Sequence, residues 1–116
     1  MLTSSAKAKG RALAKWLKHE ILQRFNQLHD DDLSVTSSGV TGGDLTQSPA
    51  ATALLPYQWE CKAYARFAGY AFYDQAARHG DREPIVIIRA NRRRPLAIID
   101  AEHFLDLLKG TNETKI

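Results

Sequence analysis

Cysteine is nearly missing from this chain of 116 residues, where Cys61 is the only one. A lone thiol excludes an internal disulfide and a cysteine-based zinc cluster, and it favours a reducing, cytoplasmic setting. No apolar run approaches the roughly 20 residues needed to cross a bilayer, so no membrane partner is expected. The basic N-terminal segment lacks the apolar stretch and small-residue cleavage site of a secretory signal. There is no repeat and no low-complexity segment. The four histidines, His19, His29, His79 and His103, stand at no metal-ligand spacing and are expected at the surface or at caps. What is present, 44% hydrophobic residues, is ordinary for a globular protein. The length fits one domain over residues 1–116, with frayed ends near 1–4 and 111–116.

The formal net charge is only +3, yet the pI is about 9.2 and the positive charge is clustered. Clustering is what a polyanion responds to. Lys7, Arg11, Lys15 and Lys18 fall within roughly 80° of one another on a helical wheel, and no acid intervenes. Such a one-sided ridge suits phosphate contact; the alternative is a solvated helix face. Arg89, Arg92, Arg93 and Arg94 form a second cluster at an expected hairpin, suited to backbone or groove contact unless it is a solubility loop.

The chain reads as an α/β protein, in the order helix, strands, helix, hairpin, helix. Residues from about Ser4 to Leu28 favour helix, with Leu13, Trp16, Leu17, Ile21, Arg24 and Leu28 as an amphipathic stripe with one intrusion. Asp30-Asp31-Asp32 is expected to be a solvated turn rather than a metal site. Leu33 to Ser38 is a strand candidate, Pro49 to Leu55 a short helical excursion, and Tyr57 to Lys62 a strand. Ala63 to Arg78 reads as helix. Ile85–Ile88 reads as a buried strand from its continuous apolar character, and Leu96–Ile99 as a second strand after the Asn91–Pro95 connection. Asp100 is placed to cap a last helix, Ala101 to Lys109, and Gly110 to stop it.

The chemistry centres on Trp59-Glu60-Cys61-Lys62 and on Asp44, which follows Gly42-Gly43. In a strand, residues i and i+2 share a face, so Glu60 and Lys62 project together while Trp59 and Cys61 turn inward. Asp44 and Glu60 could share a divalent cation through hard oxygens, with Lys62 beside the attacked phosphate. Glu20, the only acid between Met1 and Asp30, falls within the apolar stripe of the first helix. A carboxylate there needs an arginine partner or a metal. As a third acidic ligand it would close the metal shell. Cys61 reads either as a small buried hydrophobe or as the donor of a carbonyl to the metal. Gln75 is a polar group that could orient a lysine, water or phosphate. Tyr64, Phe67, Tyr70, Phe72 and Tyr73 crowd the second helix; some belong to the core, and the remainder suit a subunit interface better than base stacking.

Glu20, Asp44, Glu60-Cys61-Lys62 and Gln75 together resemble the PD-(D/E)xK nuclease superfamily. More narrowly, Lys9-Gly10-Arg11, Ser37-Ser38-Gly39, Gly43-Asp44-Leu45, Ser48-Pro49-Ala50-Ala51 and Pro56-Tyr57-Gln58-Trp59-Glu60-Cys61-Lys62 resemble small phage-borne Holliday junction resolvases. Pro49 follows Asp44 rather than preceding it, and residue 63 is Ala where a polar group is expected. The resemblance implies a restriction-endonuclease-like core, with a mixed central β-sheet flanked by helices. It implies a homodimer that cleaves four-way DNA junctions with Mg²⁺, or with Mn²⁺ in its place, in a bacterial host cell. Glu20, Asp44, Glu60, Lys62 and Gln75 would be catalytic, and Asp44, Glu60, Cys61 and Glu20 would surround the metal. Lys7, Lys9, Arg11, Lys15, Lys18, Ser38, Arg92, Arg93 and Arg94 would touch DNA. Two other readings stay open: a superfamily nuclease acting on flaps, nicks or duplex DNA, and a non-catalytic DNA-binding protein on the same fold.

Overall fold

Helix α1, Ser4–Arg24, is rich in Ala, Lys and Leu and is uninterrupted by proline. In the computed structural model, which describes residues 4–36 and 44–113, Ala14, Leu17 and Ile21 form its buried stripe. Phe25 and Leu28 continue that stripe just beyond the helix. The helix therefore ends before the expected Leu28, because a tight turn from the Phe25 carbonyl to the Leu28 N–H (3.0 Å) puts both side chains into the core. Trp16, expected in the stripe, is 37% exposed, one residue and about 100° away from Leu17.

The three aspartates that follow are a 3-10 turn, Asp30–Asp32. Asp32 is bonded rather than simply solvated. Its carboxylate accepts from the His29 N–H at 2.7 Å and the Ser48 hydroxyl at 2.6 Å. These bonds, the backbone one foremost, hold its pKa below the ordinary carboxylate value. Ser48 also caps the next helix, accepting from the Ala51 N–H at 3.1 Å. Strands β1, Leu33–Val35, and β2, Leu45–Gln47, pair antiparallel with Val35 opposite Leu45. Helix α2, Pro49–Leu54, is the short excursion expected, with proline where its missing N–H costs nothing.

From Tyr57 to Tyr64 the chain is neither helix nor strand. Trp59, Cys61 and Ala63 are half-buried and Glu60, Lys62 and Tyr64 exposed, so the alternation expected of a strand is present. The strand itself is not. The Asp44 N–H reaches the Trp59 carbonyl at 2.7 Å, but the Gln47 amide then takes the next positions. It donates to the Leu55 carbonyl at 2.8 Å and accepts from the Trp59 indole N–H at 2.7 Å. A side chain thus stands in for the ladder. Helix α3 begins at Gly69 instead of the expected Ala63 and ends at Ala77. Gly69 is buried, and a Cβ there would collide with the Phe67 ring.

Strands β3, Ile85–Ile88, and β4, Leu96–Ile99, form the expected hairpin, with Ile85 opposite Ile99 and Ile88 opposite Leu96. β3 is not the buried strand expected: Ile85 and Ile87 are 51% and 67% exposed, while Val86 and Ile88 are half-buried. Its turn is closed by the Arg93 N–H on the Ala90 carbonyl at 3.1 Å, with Arg92 left-handed at φ 63°. That conformation costs a residue bearing a Cβ about 1 kcal/mol. Helix α4, Ala101–Glu113, opens with the Asp100 carboxylate accepting from the His103 N–H at 2.9 Å. It runs through Gly110, the expected stop; a helical glycine costs only about 1 kcal/mol.

The protein is thus mixed α/β, and among the described residues its strands form two separate antiparallel pairs rather than one central sheet. The chain divides into two compact units. One comprises residues up to Tyr64 together with those from Leu105, and the other spans Ala65–Phe104. The first holds the apolar core: Ala14, Leu17, Ile21, Phe25, Leu28, Leu33, Leu45, Ala51, Leu55 and Leu105 are all buried. In the second, α3 packs on the β3–β4 hairpin, and among the described residues it contains no buried large apolar side chain.

Candidate functional site

Asp44 stands at the entrance to β2 and binds the chain at three points. Its carbonyl accepts from the Thr36 N–H at 2.9 Å, its own N–H donates to the Trp59 carbonyl at 2.7 Å, and its carboxylate accepts from the Cys61 N–H. This residue therefore lies against Trp59-Glu60-Cys61-Lys62 although more than a dozen residues separate the two in sequence. On that segment Glu60 and Lys62 point the same way, with Lys62 Nζ 3.5 Å from Glu60 Oε1 and both side chains about half in solvent (63% and 45% exposed). The expectation that these two share a face is met.

Helix α1 closes one side of the site. A Cβ placed on Gly10 would lie 3.4 Å from the Cys61 carbonyl oxygen, ordinary van der Waals contact. The helix thus passes beside the motif peptide at Lys9-Gly10-Arg11. This contact also fixes what surrounds the Cys61 carbonyl, which was weighed as a metal ligand: the oxygen lies against the α1 backbone. The Cys61 thiol is pushed above its ordinary pKa, first by burial and then by the Asp44 and Glu60 carboxylates. It stays protonated near neutral pH and is no nucleophile there.

Glu20 lies elsewhere on the same helix, ten residues and about 15 Å beyond the Gly10 contact. Its carboxylate pairs with Arg24 at 2.9 Å, both side chains only 13% exposed. The Arg24 guanidinium also bonds Asp106 at 2.7 Å and the Glu20 carbonyl at 3.1 Å. The two carboxylates raise the Arg24 pKa, Asp106 most strongly. The partner of a half-buried Glu20 is therefore an arginine, which also explains the charged intrusion in the apolar stripe. Among the described residues, no group of three or more His, Cys, Asp or Glu side chains is gathered to hold a metal. Asp44 and Glu60 remain as a pair of hard-oxygen donors flanking one peptide.

Gln75 belongs to the second unit. It lines an open groove of about 330 Å³ with Phe72, Ala76, His79 and the β3 residues. Of the aromatic residues expected on α3, Tyr64 and Phe67 precede it, while Tyr70 and Phe72 are on it and at least half exposed. Tyr73 is held above its usual pKa, by burial first and then by Glu83, which its hydroxyl reaches at 3.4 Å.

Lys7, Lys9, Arg11 and Lys15 are exposed. Lys18, at the end of the ridge, is instead tied to Asp30 at 3.1 Å. Arg89, Arg92, Arg93 and Arg94 are all exposed. Ser38 lies outside the described residues. Gln47 also belongs to the site, since its side chain holds the Trp59 segment in place; a polar residue ending a short strand carries no sequence signal of such a clip.

No protein-family model matches the chain, and no curated protein or solved structure matches it.

Proposed function

We propose that this protein is a Mg²⁺- or Mn²⁺-dependent, structure-selective DNA endonuclease that cleaves four-way junctions, a phage-type Holliday junction resolvase of the PD-(D/E)xK kind. The observation that carries this reading is the juncture of Asp44 with Glu60-Cys61-Lys62: an acid distant in sequence grips the backbone between a second acid and its lysine. The contact of Gly10 with Cys61 supports it, since it sets Lys9 and Arg11 of the basic helix beside the same segment.

The donor set suits the ion in kind. Asp44 and Glu60 offer the hard carboxylate oxygens that Mg²⁺ and Mn²⁺ take, with solvent and substrate phosphate filling the remaining positions. A cation held there would polarise the scissile phosphate and lower the pKa of a bound water. Glu20, committed to Arg24, is left to a structural role. Lys62, exposed on the Glu60 side, leaves that carboxylate and turns to a phosphate oxygen when DNA arrives. There its charge opposes the negative charge that builds on phosphorus-bound oxygens in the transition state. The Lys7–Lys15 face supplies sequence-independent contacts to the duplex arms. A restriction-endonuclease-like core belongs to the same proposal, with the Trp59 segment extending the pairing that the Asp44 N–H begins.

A homodimer suits a junction, whose two equivalent strands need two active sites related by a two-fold axis. The second unit offers the surface. Phe67, Tyr70, Phe72, Ile85, Ile87 and Leu96 are 50–70% exposed. Together they present apolar area on the order of 600 Å², against roughly 800 Å² per partner in a standard interface.

Purified protein incubated with a synthetic four-way junction and a matched linear duplex is expected to cut only the junction, and only with Mg²⁺ or Mn²⁺ present. Light scattering is expected to give twice the chain mass. Cleavage of both DNAs at equal rates would remove junction selectivity, and no cleavage of either in any metal would remove the nuclease reading.

A further inference from the structure

The basic residues of this chain are segregated by type. Residues 65–104 contain seven arginines and no lysine, whereas seven lysines and two arginines make up the remainder. A general attraction to phosphate needs no such division, because lysine serves it as well. Arginine is selected where a cation must shed water to enter a confined site or lie flat against a planar group, since guanidinium is more weakly hydrated than ammonium. Four of these seven, Arg89, Arg92, Arg93 and Arg94, lie at the tip of the β3–β4 hairpin, exposed and, among the described residues, without an acidic partner.

Arg92 adds a second observation. It is left-handed at φ 63°, the only described non-glycine residue with a positive φ. Glycine or asparagine suits that position, and Asn91 is one place away. An arginine kept in a conformation made for glycine indicates a tip chosen for its charge over the ease of its turn. The tip is also narrow: two strands, a turn closed by one Arg93-to-Ala90 hydrogen bond, and Pro95 on the return side.

We propose that the β3–β4 hairpin is a DNA-probing arm whose tip arginines, Arg92 foremost, enter the minor groove of a duplex arm. This rests on the nuclease reading and assigns the hairpin a groove in place of general backbone contact. A narrow minor groove focuses negative potential and favours arginine over lysine. The 2-amino group of guanine projects into it and obstructs entry, whereas A·T and I·C pairs leave its floor open. The arm would therefore bias where along a junction arm the enzyme settles.

The test uses the full chain, without divalent metal, and fluorescence anisotropy on labelled duplexes and junctions that differ only in one arm tract: A·T, G·C or I·C. Inosine removes the minor-groove amino group and leaves the major-groove pattern of guanine unchanged. The wild-type protein is expected to bind the A·T and I·C tracts more tightly than G·C, on the order of tenfold. Arg92→Gly is expected to abolish that preference with a melting temperature equal to or above wild type, because glycine relieves the turn. Loss of binding therefore cannot be assigned to unfolding. A wild-type protein that cleaves junctions with Mg²⁺ yet binds the three tracts alike would overturn the arm and leave the nuclease standing. Preference surviving intact in both Arg92→Gly and Arg92→Ala/Arg93→Ala/Arg94→Ala would likewise overturn it. A wild-type protein that neither binds nor cuts DNA would sink both.

Discussion

Asp44→Asn is expected to abolish junction cleavage while leaving the protein folded and able to bind. The reason lies in the two tasks of that carboxylate. As a hydrogen-bond acceptor it holds the Cys61 N–H, and an asparagine carbonyl of the same shape can do that equally. As a metal ligand it supplies negative charge, which an amide does not. The conservative substitution therefore separates the two roles, and Asp44→Ala loses both. The alanine protein leaves the Cys61 N–H without its acceptor at a half-buried position, which costs on the order of 1 kcal/mol. Thermal melts should show Asp44→Asn near wild type and Asp44→Ala lower. Junction affinity in Asp44→Asn should hold or rise, because one negative charge leaves a surface that meets phosphate. Full cleavage by Asp44→Asn would end the assignment of Asp44 to a metal.

Much of the local structure was legible because single residues with one physical job announce themselves. Asp100 caps α4, and Ile85–Ile88 with Leu96–Ile99 read as apolar strands around a turn. Pro49 after Ser48 marks a helix start. The Glu60–Lys62 face was legible from period-two alternation alone, and this survives without a ladder. The misreadings share a cause, which is that periodicity does not say what a side chain will bond. Where a strand is expected over Tyr57 to Lys62, Gln47 bonds Leu55 and Trp59 with its own side chain. Glu20 takes Arg24 as its partner, and a helical wheel shows the two only as neighbours four residues apart. Trp16 and Ala14 exchange places in the stripe: the wheel's spacing does not say which of two neighbouring rows meets the core, and Ala14 is buried while Trp16 is 37% exposed. The composition of α3 hid its true start, since the aromatic run that reads as helix lies partly in the non-helical segment before Gly69.

Lys62→Ala is expected to lower the rate of junction cleavage by about 10²–10³, comparable to removing one donor from an oxyanion site. The magnitude follows from where the ammonium acts. In the absence of DNA it pairs loosely with Glu60 at 3.5 Å, with both side chains about half in solvent. An exposed pair of this kind contributes less than about 1 kcal/mol to stability. The fold should therefore tolerate its loss, and a fall in rate cannot be attributed to unfolding. Nor does lysine bind the cation, so calorimetric titration with Mn²⁺ should give nearly the wild-type affinity, or a slightly tighter one as Glu60 is freed. Lys62→Arg refines the test. It restores positive charge but replaces a compact ammonium with a wider planar fork, so partial recovery of rate is expected. If Lys62→Ala abolished Mn²⁺ binding, the residue would instead be holding Glu60 in place for the metal. If Lys62→Ala cut junctions at the wild-type rate, the Glu60–Lys62 face would be an ordinary solvated edge, and the remaining function of the Asp44 clasp would be to hold the chain together.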